Sequence, residues 1–146
     1  MIEIAIDGTA ASGKGTLARR LSVKYEFPHL DTGSMYRMVA LELINHKNKD
    51  YKNLEIESCK TAKKLNFKQL ENNELRSEEV AALASKIASF PSLRHTLNLK
   101  QIEFANVNKK KYGGCILDGR DIGTKILPNA NFKFFINASV EIRAKR

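Results

Sequence analysis

Ile2, Ile4 and Ile6, with Ala5 between them, make a short β-branched run that Asp7-Gly8 closes. An apolar run bounded by a turn pair predicts a buried strand leading into a loop. Beyond the next glycines, Leu17, Ala18, Leu21 and Tyr25 recur at helical spacing, and Pro28 limits how far that helix runs. A short segment, Phe27–Leu30, enters Asp31-Thr32-Gly33, and a second helix is expected over 34–45. The polar, Lys/Asn-rich stretch 46–53 reads as a surface loop, and a weaker amphipathic helix is expected over 54–65. No periodicity places 66–75, where a small hairpin is compatible.

Ser77 is placed to cap a helix whose first turn holds Glu78 and Glu79, where negative charge suits the helix dipole. Pro91 suits a fresh helix start, with Leu93, Leu97, Phe104 and Val107 expected along one face. Gly113-Gly114 precedes a strand at Cys115-Ile116-Leu117 that ends at Asp118-Gly119. A further strand, Phe132–Ile136, gives way to Asn137-Ala138-Ser139, with Ser139 capping a helix from Val140. Strands alternating with helices predict an α/β fold with a parallel sheet covered on both faces. Only seven residues follow Ser139, against about eleven for an ordinary helix, so the sequence is expected to stop before its domain does.

At 146 residues and 42% hydrophobic content the chain has room for one modest core, and a single domain over 1–146 is the expectation. The formal charge of +9 favours anionic partners without choosing among them. Lys109, Lys110 and Lys111 have only Tyr112 beside them and no aromatic platform, so a solvated helix end is favoured over a nucleic-acid surface. Cys59 and Cys115 stand alone, with no Cys-x-x-Cys pair or nearby His at ligand spacing, as in a reduced cytosolic protein. No export segment or membrane-length apolar run is present, and the expectation is a cytoplasmic monomer with neither nucleic-acid nor membrane partners. His29, His46 and His95 show no metal or nucleophile spacing and read as solvated or hydrogen-bonded helix residues.

The sharpest chemical signal is Gly8-Thr9-Ala10-Ala11-Ser12-Gly13-Lys14-Gly15-Thr16, a phosphate-binding loop with one extra glycine between the lysine and the hydroxyl residue. Small residues let backbone amides point inward around phosphate oxygens, and the following helix directs its positive end there. Lys14 is positioned to reach β- and γ-phosphates and Thr16 to hold Mg²⁺. A Gly/Ser-rich turn that binds nothing is the bland alternative; the strand before and the helix after favour the functional one.

The Gly-Lys-Gly-Thr form resembles the nucleoside monophosphate kinases. Leu30-Asp31-Thr32-Gly33-Ser34-Met35-Tyr36-Arg37 and Leu117-Asp118-Gly119-Arg120-Asp121-Ile122-Gly123-Thr124 resemble two hallmark segments of bacterial cytidylate kinases. Between them Arg76-Ser77-Glu78-Glu79-Val80, Ala84-Ser85-Lys86-Ile87-Ala88 and Pro91-Ser92-Leu93-Arg94 follow the same family's order. The resemblance implies a P-loop kinase fold, a three-layer α/β/α sandwich with a small helical acceptor-binding insertion over about 38–92. It implies transfer of the ATP γ-phosphoryl group to CMP or dCMP with Mg²⁺ as cofactor.

Carried over by position, the resemblance makes Lys14, Arg37 and Arg120 catalytic, the two arginines gripping the acceptor phosphate with planar, multi-donor guanidinium groups. Gly8, Thr9, Ala10, Ala11, Ser12, Gly13, Lys14, Gly15 and Thr16 would bind ATP. Thr32, Arg37, Ser85, Arg94, Arg120 and Asp121 would bind CMP, with Asp121 accepting from the cytosine amino group. Thr16 and Asp118 would address the metal. An exposed helix serine, a surface arginine and a turn-forming Asp are the bland readings of Ser85, the arginines and Asp118. Relatives continue with an Arg-rich lid, a further strand and a closing helix, and the 38–75 segment is shorter here. A nucleotide-binding remnant, or a P-loop kinase for another small acceptor, therefore stays open.

Overall fold

A computed structural model of the chain describes residues 1–46, 53–67 and 72–145. The elements in order are β1 (Ile2–Gly8), α1 (Lys14–Tyr25), β2 (His29–Asp31), α2 (Thr32–Asn45), α3 (Leu54–Lys63), α4 (Glu78–Ile87), α5 (Pro91–Tyr112), β3 (Gly114–Gly119), β4 (Phe132–Ile136) and α6 (Val140–Ala144). A 3-10 turn covers Asn73–Arg76, and a single π turn covers Ile122–Ile126. Two compact units result: Met1–Thr32 with Gln101–Arg146, and Gly33–Lys100.

The first unit holds an all-parallel four-stranded sheet in the order β2-β3-β1-β4. Ile4 lies opposite Ile116 and Ile6 opposite Asp118, while His29 and Asp31 on β2 face the same two β3 positions. Side chains alternate across a strand, so Ile4, Ile6 and Ile116 share one face and pack on Ala18 of α1, with Leu17, Leu21, Phe27 and Ile136 around them. Each large apolar side chain buried there contributes about 1.5 to 3 kcal/mol. The opposite face carries Ala5, Cys115 and Leu117, all fully buried. Helix α1 ends where Glu26 turns into the left-handed region, just ahead of Pro28, which cannot continue a helix.

In the second unit, Asn53 caps α3 by accepting from the Ile56 amide at 3.2 Å. Ser77 caps α4 as its spacing predicts, accepting from the Val80 amide at 3.3 Å, with Glu78 and Glu79 in the first turn and Val80, Ala84 and Ile87 buried. Helix α5 begins at Pro91 and buries Leu93 and Leu97.

The structure departs from the sequence reading at several points. Helix α2 starts at Thr32, two residues before the predicted Ser34. Val107 is 56% exposed, because the buried stripe follows Leu93, Leu97, Gln101 and Ala105, a four-apart series that turns about 40° around the helix at each step and so moves away from the Val107 side. The described part of 66–75 carries the 3-10 turn and no strand; residues 68–71 and most of the expected 46–53 loop (47–52) lie outside the described residues. The sheet is not covered on both faces along β4: Phe132, Phe134 and Phe135 are all exposed, the last at 69%. Among the described residues β4 pairs with β1 alone, and nothing packs over its aromatic side chains enough to bury them. Lys109 is only partly solvated, since its ammonium pairs with Glu3 at 2.7 Å; Lys111 lies over the Tyr112 ring at 5.0 Å. No described helix is long and apolar enough to cross a membrane.

Two measurements check this packing. A Cβ on Gly114 would meet the Phe27 ring at 2.5 Å, so Gly114→Ala should lower the unfolding free energy by about 1 to 3 kcal/mol in a urea titration. Val107→Lys should change it by less than about 0.5 kcal/mol. Burial pushes the Cys115 thiol from 9.0 up to about 11, with Glu3 adding to the rise and Lys109 opposing it. The folded state holds the thiol proton more tightly than the unfolded chain, so this contribution is present below pH 9 and lost as pH rises toward 11. Stability measured across that window should fall less steeply in Cys115→Ala than in the parent chain.

Candidate active site

Strand β1 runs out at Gly8 into the loop Thr9–Gly13, which returns the chain to α1 at Lys14. Gly8 is required by a close approach: a Cβ there would collide with the carbonyl oxygen of Ile136 on neighbouring β4. Two loop residues adopt left-handed backbone, Ala11 at φ 58° and Gly13 at φ 97°. Alternation of this kind turns consecutive amides toward one concave side and makes an anion cradle. Glycine takes that conformation freely, while Ala11 adopts it at a cost of about 1 kcal/mol.

The start of α1 differs from those of α3, α4 and α6, while α2 and α5 share its lack of a first-turn acid. Asn53, Ser77 and Ser139 each cap a helix with a side-chain oxygen, and each of those helices has acidic residues in its first turn. Helix α1 has neither: Gly13 makes no side-chain cap and no first-turn residue is acidic. The first amides of any helix lack intrahelical acceptors, and its amino end carries about half a positive charge. The Thr16 amide finds the Gly13 carbonyl at 3.1 Å, and the charge at the helix end has no acidic side chain beside it in the first turn. Ser12 Oγ is buried, at 6% exposure for the residue, and has no hydrogen-bond partner among the described residues. Lys14 folds back over the loop, its ammonium 3.5 Å from the Thr9 carbonyl.

Asp118 lies beneath the first turn of α1, where a Cβ on Gly15 would come within 3.8 Å of its Oδ2. It is 2% exposed, and the same oxygen is 2.7 Å from His29 Nε2. Thr32 donates its hydroxyl to the Asp118 carbonyl at 2.8 Å, tying the ends of β2 and β3. On the other side of the sheet, Asp7 accepts from the amides of Ile122 and Gly123, each at 2.8 Å. Those amides open the π turn that follows Arg120 and Asp121; Arg120 is exposed, and Asp121 Oδ2 is 3.1 Å from Lys125 Nζ.

This arrangement offers an amide-lined, positively polarised cradle with a buried carboxylate beside it at the carboxyl ends of parallel strands, where open α/β sheets bind ligands. The family described as "Cytidylate kinase" matches residues 4–146. The chain belongs to the cytidylate kinase family. Among proteins named cytidylate kinase, that of Bartonella quintana (strain Toulouse) is 48% identical over 143 residues, covering 98% of this chain and 64% of that protein. That of Bartonella tribocorum (strain CIP 105476 / IBS 506) is 48% identical over 147 residues, with the same coverage. That of Methylocella silvestris is 46% identical over 143 residues, 98% of this chain and 63% of that protein. The chain thus spans about 64% of the length of the relatives it matches.

The residues assigned by likeness to cytidylate kinases fall in both units. Gly8–Thr16, Thr32, Asp118, Arg120 and Asp121 belong to the first, where the structure brings the loop, Asp118 and Thr32 together. Arg37, Ser85 and Arg94 belong to the second. There Arg37 is half-buried on α2 and donates to the Leu75 carbonyl at 3.3 Å, while Ser85 on α4 and Arg94 on α5 are exposed. Thr16 is exposed in the first turn of α1.

Sequence reasoning passed over four residues at this end of the sheet. His29, expected as a solvated or hydrogen-bonded helix residue, is hydrogen-bonded but lies on β2, where it pairs with Asp118. The signal lay in its period: His29 and Asp31 fall two apart on a strand, so both share the face that Asp118 occupies. Asp7 and Lys125 were hidden because a turn-forming Asp and a surface lysine look ordinary. Asn137 accepts from the Thr9 hydroxyl at 3.3 Å, a contact between residues 128 apart in sequence.

Two substitutions test the geometry without any ligand. His29→Leu strips a buried carboxylate of its partner and should lower the unfolding free energy by about 1 to 3 kcal/mol. Ala11→Gly relieves the left-handed alanine and should leave stability equal or raise it by up to about 1 kcal/mol in the same titration.

Proposed function

We propose that the chain carries the working site of a cytidylate kinase, moving the γ-phosphoryl group of ATP to CMP or dCMP to give ADP and CDP or dCDP. The observation that supports this most is the uncapped, acid-free amino end of α1 behind a loop with two left-handed residues and an orphaned Ser12 hydroxyl. A polyphosphate tail supplies the acceptors that end of the helix lacks. The loop amides of 8–16 hold its oxygens, Ser12 Oγ gains a partner, and Lys14 swings from the Thr9 carbonyl onto the β- and γ-phosphates.

Phosphoryl transfer needs positioning and charge stabilisation and no protein nucleophile. Thr16 and Asp118 are hard oxygen donors, a set that suits Mg²⁺ held mainly by phosphates and water. The ion, when bound, neutralises charge on the phosphate oxygens. Asp118 stays oriented by His29 and Thr32 by its bond to the Asp118 carbonyl. Residues 38–92 serve as the acceptor-binding insertion; by likeness to the family, Arg37, Ser85 and Arg94 of the second unit and Arg120 and Asp121 of the first are the residues assigned to CMP. Arg37 and Arg120 are assigned to the acceptor phosphate and Arg94 to the base. Asp121 accepts from the exocyclic amine of cytosine, which uracil replaces by a carbonyl, so the carboxylate rejects UMP.

Calorimetric titration of ATP and CMP into the 146-residue chain, followed by an ADP-release assay, tests the reading. Both nucleotides should bind, and CMP and dCMP should be phosphorylated in preference to UMP and AMP. Lys14→Ala should cut turnover by about 10²-fold or more. Preference for AMP overturns the role of Asp121, and binding of both nucleotides without ADP release makes this chain a nucleotide-binding module.

A further inference from the structure

We infer that Asp7 is a positioning residue for acceptor recognition, fixing the turn that carries Arg120 and Asp121 to the same strand end that carries the phosphate loop. The inference rests on the function proposed above, in which Arg120 and Asp121 read the acceptor. Its physical basis lies wholly within the first unit.

Asp7 is the last side chain of β1 before Gly8, and it is 9% exposed. Its Oδ1 accepts from the Ile122 amide and its Oδ2 from the Gly123 amide, so both carboxylate oxygens are committed to consecutive backbone donors 115 and 116 residues away. The approach is close enough to select the residue on the other side. A Cβ on Gly123 would lie 3.3 Å from Asp7 Oδ2 and 3.2 Å from Lys133 Cδ, tighter than side chains normally tolerate.

The turn needs this support. It is a π turn, in which the Asp121 carbonyl accepts from the Lys125 amide at 2.9 Å and more weakly from Ile126 at 3.4 Å, and the Ile122 carbonyl accepts from Leu127 at 2.7 Å. Such wide turns are rare. Their first amides have no acceptor within the turn, and Asp121 at its head makes no side-chain cap. Asp7 therefore supplies from another strand the cap that the turn does not provide for itself. Arg120 and Asp121 lie directly before the two anchored amides, so their backbone positions follow from Asp7. Adjacent residues then do two jobs: Asp7 holds the acceptor-reading turn and Gly8 opens the donor cradle.

Only a carboxylate of this length offers two acceptors to two neighbouring amides. Asparagine keeps one acceptor and turns an N–H₂ group toward the other amide; alanine keeps none.

The test uses Asp7→Asn and Asp7→Ala in the 146-residue chain, with amide hydrogen exchange and separate CMP and ATP titrations. Exchange at Ile122 and Gly123 should accelerate in the order parent, Asn, Ala, while Ala5 and Leu117 in the central strands stay protected. The CMP dissociation constant should rise about tenfold or more in Asp7→Asn, and that for ATP should stay within about twofold. Unchanged exchange at both amides overturns the inference, as does equal weakening of CMP and ATP, which marks a merely structural role. A parent chain that binds no CMP overturns the proposed function and the acceptor half of this inference, while exchange still decides the anchoring. Should Asp7→Ala fail to fold, Asp7→Asn carries the same comparison.

Discussion

The unneutralised amino end of α1 is the constraint around which this end of the molecule is arranged. Helices α3, α4 and α6 are capped by Asn or Ser and carry Glu in the first turn, whereas α2 and α5 have no acid there. At α1 the chain places glycine, withholds acidic side chains, and leaves Ser12 Oγ buried without a partner among the described residues. Such a choice lowers stability in the empty protein, because buried polar groups cost free energy when unsatisfied. Under the function proposed above a bound polyphosphate would offset that cost, and the parallel sheet holds the loop in place through β3 and β4 on either side of β1.

Two carboxylates extend the same logic to both faces of the sheet. Ile6 and Asp118 are register partners, so Asp7, one residue on, points away from Asp118. Each is buried, and each has a dedicated partner: His29 for Asp118, two backbone amides for Asp7. Uncompensated burial of such groups is strongly destabilising, so their pairing is a condition for keeping them at the strand ends. The Thr32 hydroxyl on the Asp118 carbonyl adds a further tie at the same level. The outcome is a rigid strand-end shelf carrying the loop, the carboxylate beside it and the Arg120–Asp121 turn.

Local signals made most of this legible. The β-branched run of β1, the glycine loop, the helical spacing of Leu17, Ala18 and Leu21, and the caps at Ser77 and Ser139 are short-range patterns, and all appear where expected. Contacts between distant residues were not readable. Asp7 reaches residues 115 and 116 positions away, and His29 reaches Asp118 across 89; no periodicity reports such pairs. Val107 failed because a helical face drifts along a 22-residue helix, a point a fixed spacing overlooks. Strand β4 lies at an edge of the sheet, which leaves Phe132, Phe134 and Phe135 exposed. The roles of Arg37, Ser85 and Arg94 came from likeness to relatives and not from any local physical signal.

Amide chemical shifts recorded while ATP is added, with and without Mg²⁺, test the central claim most directly. The amides of Ser12, Gly13, Lys14 and Gly15 should shift first and saturably, and Lys14→Ala should weaken the response without moving it elsewhere. Saturable binding that leaves those four amides untouched would contradict it.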